Sequence, residues 1–215
     1  MRSIDVASAS IIRQFLSFKE EKFMTQAVPH STIVRYQASS PASKYRGVNL
    51  KSFTDNLRRD LIEPILAKYN YQEINPGEWM EAQIQLDMLR DIEAQCSFEE
   101  LVAVGMKSGE LFPLPPEIDS LEKFLDAAPR IHQLGLNGAS PEERISVEKL
   151  GNAHYRLIFN VPVPPFVMYG STHGLLRRVR KNDQFPVVTI IDNGTPYIFD
   201  IAWESQTLLP RWLKI

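Results

Sequence analysis

Tyr169 and His173 stand four residues apart in the stretch PVPPFVMYGSTHGLLRRVR, residues 162–180. On a helix that spacing brings two side chains to one face, and Leu176 would extend it. A phenol and an imidazole presented together can hydrogen-bond a small molecule in an otherwise apolar pocket. Gly170 and Gly174 form the neighbouring strip. Without side chains they let a second element come close or leave room for a ligand. The architectural alternative is a helix lying tightly on a sheet, with His173 satisfied by a hydrogen bond. Arg177, Arg178, Arg180 and Lys181 close the stretch. Cations there complement the helix dipole, and a solvated face explains them better than a phosphate site.

The remaining candidates are isolated. His30, His132, His154 and His173 form no short metal-ligand pair. His132, on an expected helix, is a conceivable haem or metal ligand, with a structural histidine as the alternative. Cys96 precedes an expected helix N-terminus, a position that can lower a thiol's pKa, but it has no companion residue. No nucleophile elbow, phosphate loop or dinucleotide fingerprint is present. The chain therefore reads as a non-enzyme. Large apolar and sulfur side chains can wall a cavity, since methionine adapts to varied shapes. The pocket residues expected are Trp79 and Met106 as apolar walls, with Tyr169 and His173 as polar anchors.

Composition narrows the class. The chain has 215 residues, 44% of them hydrophobic, enough for a substantial core. Its 24 basic and 26 acidic residues give a formal net charge of −2, which argues against a general nucleic-acid or membrane-surface binder. One cysteine cannot form an internal disulfide, and a reducing cytoplasm is the expected setting. No apolar run is long enough to span a bilayer.

These residues must be positioned by secondary structure. Residues 1–45 read as an N-terminal extension and docking segment. Residues 1–23 are either a loose or wrongly assigned extension before Met24, or an amphipathic helix with Ile11, Phe15 and Phe18 on one side. Residues 46–215 read as one ligand-binding-type domain. A first helix aligns Leu50, Phe53, Leu57, Leu61 and Ile65, with Pro64 expected to kink or split it. A second aligns Trp79, Ala82, Leu86 and Leu89. Ser97 and Glu100 form a capping box for a third, and Asp119 with Glu122 is expected to cap a fourth. Period-two patterns then predict two strand pairs, turning at Leu150–Asn152 and Asp192–Gly194, with the Tyr169 helix between them. The expected fold is α+β: a helical layer packed on an antiparallel sheet of β-β-α-β-β order.

The segments NLKSF, NPGEWMEAQIQLDMLRDIEA, ELVAVGMKSG, YRLIFNVPVPPFVMYGSTHGLLRRV and PYIFDIAW together resemble the bacterial 4-vinyl-reductase-type ligand-binding domain. That family is related to haem nitric-oxide-binding (H-NOX) sensors and to TRAPP trafficking subunits. The resemblance covers roughly residues 45–204. It implies a hydrophobic ligand cavity between helices and sheet, an unidentified apolar small molecule as ligand, a homodimer or signalling partner protein, and sensing or scaffolding rather than turnover. An interaction module with a fully packed core is the alternative. The closing hairpin lacks the cysteines with which family members bind metal. Residues 169–173, Tyr-Gly-Ser-Thr-His, only partly imitate the Tyr-x-Ser-x-Arg motif with which H-NOX sensors hold haem propionates. No cofactor is therefore expected.

Overall fold

The computed structural model describes residues 31–192 and 194–205. The expectations for residues 1–23, Met24 and His30 lie outside them.

The chain folds as α+β. In order it forms β1 (Lys44–Arg46), α1 (Val48–Asn56), α2 (Arg59–Lys68), β2 (Trp79–Glu81), α3 (Ala82–Glu93), α4 (Phe98–Leu111) and α5 (Leu121–Leu134). Then follow β3 (Leu136–Asn137), β4 (Arg144–Gly151), β5 (His154–Asn160), α6 (Pro165–Val179), β6 (Gln184–Asp192) and β7 (Tyr197–Ser205). The last four strands form an antiparallel sheet in the spatial order β4-β5-β7-β6, with α6 connecting the two hairpins. On β7 the alternation is clean. Tyr197, Phe199, Ile201 and Trp203 are buried, whereas Ile198, Asp200 and Ala202 are not, because successive side chains of a strand point to opposite faces.

Several local expectations need correction. Helix 50–68 breaks at Leu57–Arg58, not at Pro64. Pro64 lies inside α2, close enough to its start that the missing N–H costs the helix one bond to the first turn. Trp79 is not helical. It pairs with Arg46 in a second, three-stranded sheet of order β2-β1-β3, and the Arg46 guanidinium lies 4.7 Å from the Trp79 ring centre. The cap of α5 is Ser120, which accepts from the Lys123 N–H, while Asp119 pairs with Lys123. The Ser97–Glu100 capping box of α4 forms reciprocally.

Helices α4 and α6 meet through glycine. A Cβ added at Gly105 would fall 2.8 Å from the Val167 carbonyl oxygen, and one at Gly109 2.2 Å from that of Ser171. From the other side, a Cβ at Gly170 would meet the Val102 oxygen at 2.4 Å and one at Gly174 the Met106 oxygen at 2.1 Å. The two Gly-x-x-x-Gly strips thus hold the helices backbone to backbone. The close approach read from Gly170 and Gly174 is real, but the partner is a helix and not the sheet. Arg178 locks the far end, donating to the carbonyl oxygens of Gly109 and Phe112 at the C-terminus of α4. Arg177 reaches Glu110.

Candidate functional site

A cavity of about 160 Å³ lies between the helices and the β4–β5 side of the main sheet. Helices α1, α3, α4, α5 and α6 contribute Phe53, Leu89, Ser108, Phe124 and Met168 among others, and the sheet contributes Ile145, Leu157 and Phe159. Most of the lining is aliphatic or aromatic. A cavity of about 150 Å³ with such walls stays dry and admits benzene, so this one is sized for a single ring.

The cavity has one strongly polar edge. Glu143, just ahead of β4, lines it and is only 1% exposed. Its carboxylate accepts from Ser39 Oγ at 2.5 Å and from the Tyr45 hydroxyl at 2.6 Å. Ser39 Oγ also accepts from the Ser140 N–H, and Gln133 donates to the Glu143 carbonyl oxygen. Gln85, likewise on the wall, donates to the carbonyl oxygens of Tyr45 and Arg46. Burial pushes the Glu143 carboxyl up, and its two hydrogen bonds only partly oppose this. Among the described residues, the hydrogen-bond partners of its carboxylate are these two hydroxyls, and no lysine or arginine contributes to its shift.

None of the four expected pocket residues lines this cavity. Helix α6 has three working faces. Gly170 and Gly174 meet α4. Tyr169, His173 and Leu176 are buried on the face that meets the sheet: the Tyr169 ring stands edge-on to His173 at 4.6 Å and to Phe199 at 5.9 Å, and its hydroxyl reaches the Val188 carbonyl oxygen at 3.4 Å. Met168, Ser171, Thr172 and Leu175 face the cavity. That third set has the same i, i+3/i+4, i+7 spacing as the second, so periodicity identifies both faces without telling which one meets empty space. Tyr169 and His173 are brought together, as their spacing requires, but Trp79 and Met106 are not with them: Trp79 packs in the small sheet, and Met106 turns its backbone to Gly174.

His132, a lone helical histidine, lines the cavity. Its Nε2 is buried and has no hydrogen-bond partner among the described residues. Burial lowers its pKa from 6.5 to about 4, which keeps the imidazole neutral. The Cys96 thiol shows the opposite of the helix-terminus effect: burial, reinforced by Glu100, raises its pKa, so it is not an activated nucleophile. Among the described residues no group of three His, Cys, Asp or Glu side chains is placed to hold a metal ion, and no helix is long and apolar enough to cross a membrane.

These groups set a pH dependence of stability. His173 is lowered to about 4 by burial and by Arg177, and His132 to the same value by burial alone. An unfolded histidine ionises near 6.5, so between about pH 6.5 and 4 the unfolded chain takes up protons that the folded chain refuses. Their contribution is whole above that window and is lost as pH falls through it. Glu143 has the opposite sign: its raised folded value means that stability falls as pH rises from the ordinary carboxyl range through that value. His173→Gln is expected to flatten the loss of stability between pH 7 and 5, measured by urea denaturation at each pH. An equal loss in the variant and the parent would show that His173 protonates freely in the folded state.

No protein-family model matches the chain, and no curated protein matches its sequence. Its fold is shared with solved H-NOX domains. A Cs H-NOX variant carrying 4-cyano-L-phenylalanine aligns with TM-score 0.56 and 16% identity, over 74% of this chain and 97% of that one. An H-NOX structure from a study of haem distortion in that family aligns at 0.55 and 16%, over 75% and 95%. An oxygen-binding H-NOX domain related to soluble guanylate cyclases, in its oxygen complex, aligns at 0.53 and 14%, over 74% and 93%.

Proposed function

We propose that this chain is a non-enzymatic, cytoplasmic sensory domain that binds an apolar small molecule in the cavity between its helices and the main sheet. The observation that carries the reading is the cavity itself, apolar-walled and edged by Glu143 and His132, which an interaction module with a fully packed core would lack. The fold shared with H-NOX domains supports a sensor over a catalyst. Kinship with 4-vinyl-reductase-type domains and TRAPP subunits belongs to the same reading. A ligand shifts such a domain only as far as it binds one state better than another. The response would pass to a second copy of the chain or to a signalling partner.

Haem, which the H-NOX comparison brings into question, fits this lining poorly. His132 offers an imidazole nitrogen. The propionates, however, would find no lysine or arginine among the described lining residues, whose ionisable side chains are Tyr45, His132 and Glu143. Glu143 has the wrong sign, and the space suits one ring rather than four. Trp79, Met106, Tyr169 and His173 enter this reading as supports, with Tyr169 and His173 setting how α6 lies on the sheet.

Native mass spectrometry and an absorption spectrum of freshly purified protein test the proposal. A bound apolar molecule without a Soret band is expected. In Ala128→Phe, which places a ring into the cavity wall, that molecule should be absent while the fold persists. A Soret band, or retention of the molecule by folded Ala128→Phe protein, would overturn it.

A further inference from the structure

Glu143 poses a problem that the apolar reading of the cavity does not solve. A carboxyl group 1% exposed is costly to ionise unless a cation or several donors compensate it. Two hydroxyl donors are present, from Ser39 and Tyr45, and among the described residues no lysine or arginine adds to them in holding the charge. Ser39 and Tyr45 each approach a different carboxylate oxygen, and each oxygen can accept more than one hydrogen bond. Glu143 also lines a space large enough for one ring. Tyr45, Phe53, Phe124 and Phe159 line that space as well, and aromatic faces attract cations, the more so when water is excluded. A buried carboxylate with no lysine or arginine paired to it among the described residues, at a cavity wall that also carries aromatic rings, is the complement of a small organic cation.

We infer that the cavity selects a one-ring ammonium compound, with Glu143 as its charge anchor and the aromatic wall holding its ring. The inference rests on the cavity being a ligand site, and it replaces a wholly apolar ligand with one whose apolar ring carries a single positive charge. Neutral hydrocarbons of the same shape leave the carboxylate unpaired, and carboxylates of that shape meet it as a like charge.

Benzylamine, toluene and benzoate are near-isosteric probes of positive, zero and negative charge at pH 7. Calorimetric titration of the full chain with each should rank them in that order, with benzylamine bound at least about tenfold more tightly than toluene. Glu143→Gln should remove that preference while toluene affinity holds. Toluene binding as well as benzylamine would overturn the charge anchor and leave the cavity reading standing. Failure of all three at millimolar concentration would overturn both. Benzylamine binding unchanged in Glu143→Gln would place the anchor elsewhere and overturn the assignment. If Glu143→Gln does not fold, the ranking on the unaltered chain decides alone.

Discussion

Gly174→Leu is expected to destabilise the domain by about 3 kcal/mol, at or beyond the upper end of overpacking costs. The side chain has nowhere to go. Its first carbon would fall 2.1 Å from the Met106 carbonyl oxygen and 3.0 Å from the Glu110 nitrogen. Both are backbone atoms of α4, so no rotamer change relieves the contact and the helices must separate. Separation pulls Gly105 from Gly170 and Gly109 from Gly174, and weakens the Arg178 bonds to the end of α4. It also moves the Ser171 and Leu175 side of α6 that borders the cavity, so under the proposed function ligand retention should fall with stability. Urea denaturation provides the measurement. An unchanged midpoint with an unchanged slope would mean that α4 and α6 do not meet at this strip.

Phe199→Ala is expected to cost about 3–5 kcal/mol. Phe199 is fully buried on β7, and its ring lies 4.7 Å from Phe159, 5.5 Å from Tyr197 and 5.9 Å from Tyr169. Removing it leaves a void bounded by three rings on two strands and a helix, all held by their own backbone pairing, so collapse is restricted. Phe159 is also a cavity wall, and under the proposed function the variant should therefore loosen ligand binding. A control on β6, Val187→Ala, alters a residue 44% exposed and should stay within about 0.5 kcal/mol. A loss in Phe199→Ala no larger than in this control would contradict the ring cluster as the joint between α6 and the sheet.

The cavity residues differ sharply in how readable they were. Helix-period stripes and strand alternation are local signals, and they led to the two hairpins, the Tyr169 helix and the capping box at Ser97. Gly170 and Gly174 announced a close approach because only a missing side chain permits one. Strands β1, β2 and β3, each two or three residues long, are too short for a period of two to register, so Trp79 was drawn into the helix that follows it. Glu143 occurs in the run Pro-Glu-Glu-Arg, residues 141–144, whose composition reads as a solvated loop. Nothing local separates it from Glu142, which is exposed. Only residues 104 and 98 positions upstream, Ser39 and Tyr45, make it a buried acceptor.

By itself, then, the sequence determined the class and order of the main elements and which side chains of each share a face, because periodicity and capping act within a few residues. It did not determine which face of α6 would meet α4, which the sheet and which the cavity. Three faces of one helix compete for three neighbours, and the outcome depends on the glycine contact with α4. That contact turns Tyr169 and His173 toward the sheet and leaves Met168, Ser171, Thr172 and Leu175 toward the open space. The tertiary structure alone decided where the cavity lies, because a cavity is a property of surfaces brought together from distant parts of the chain.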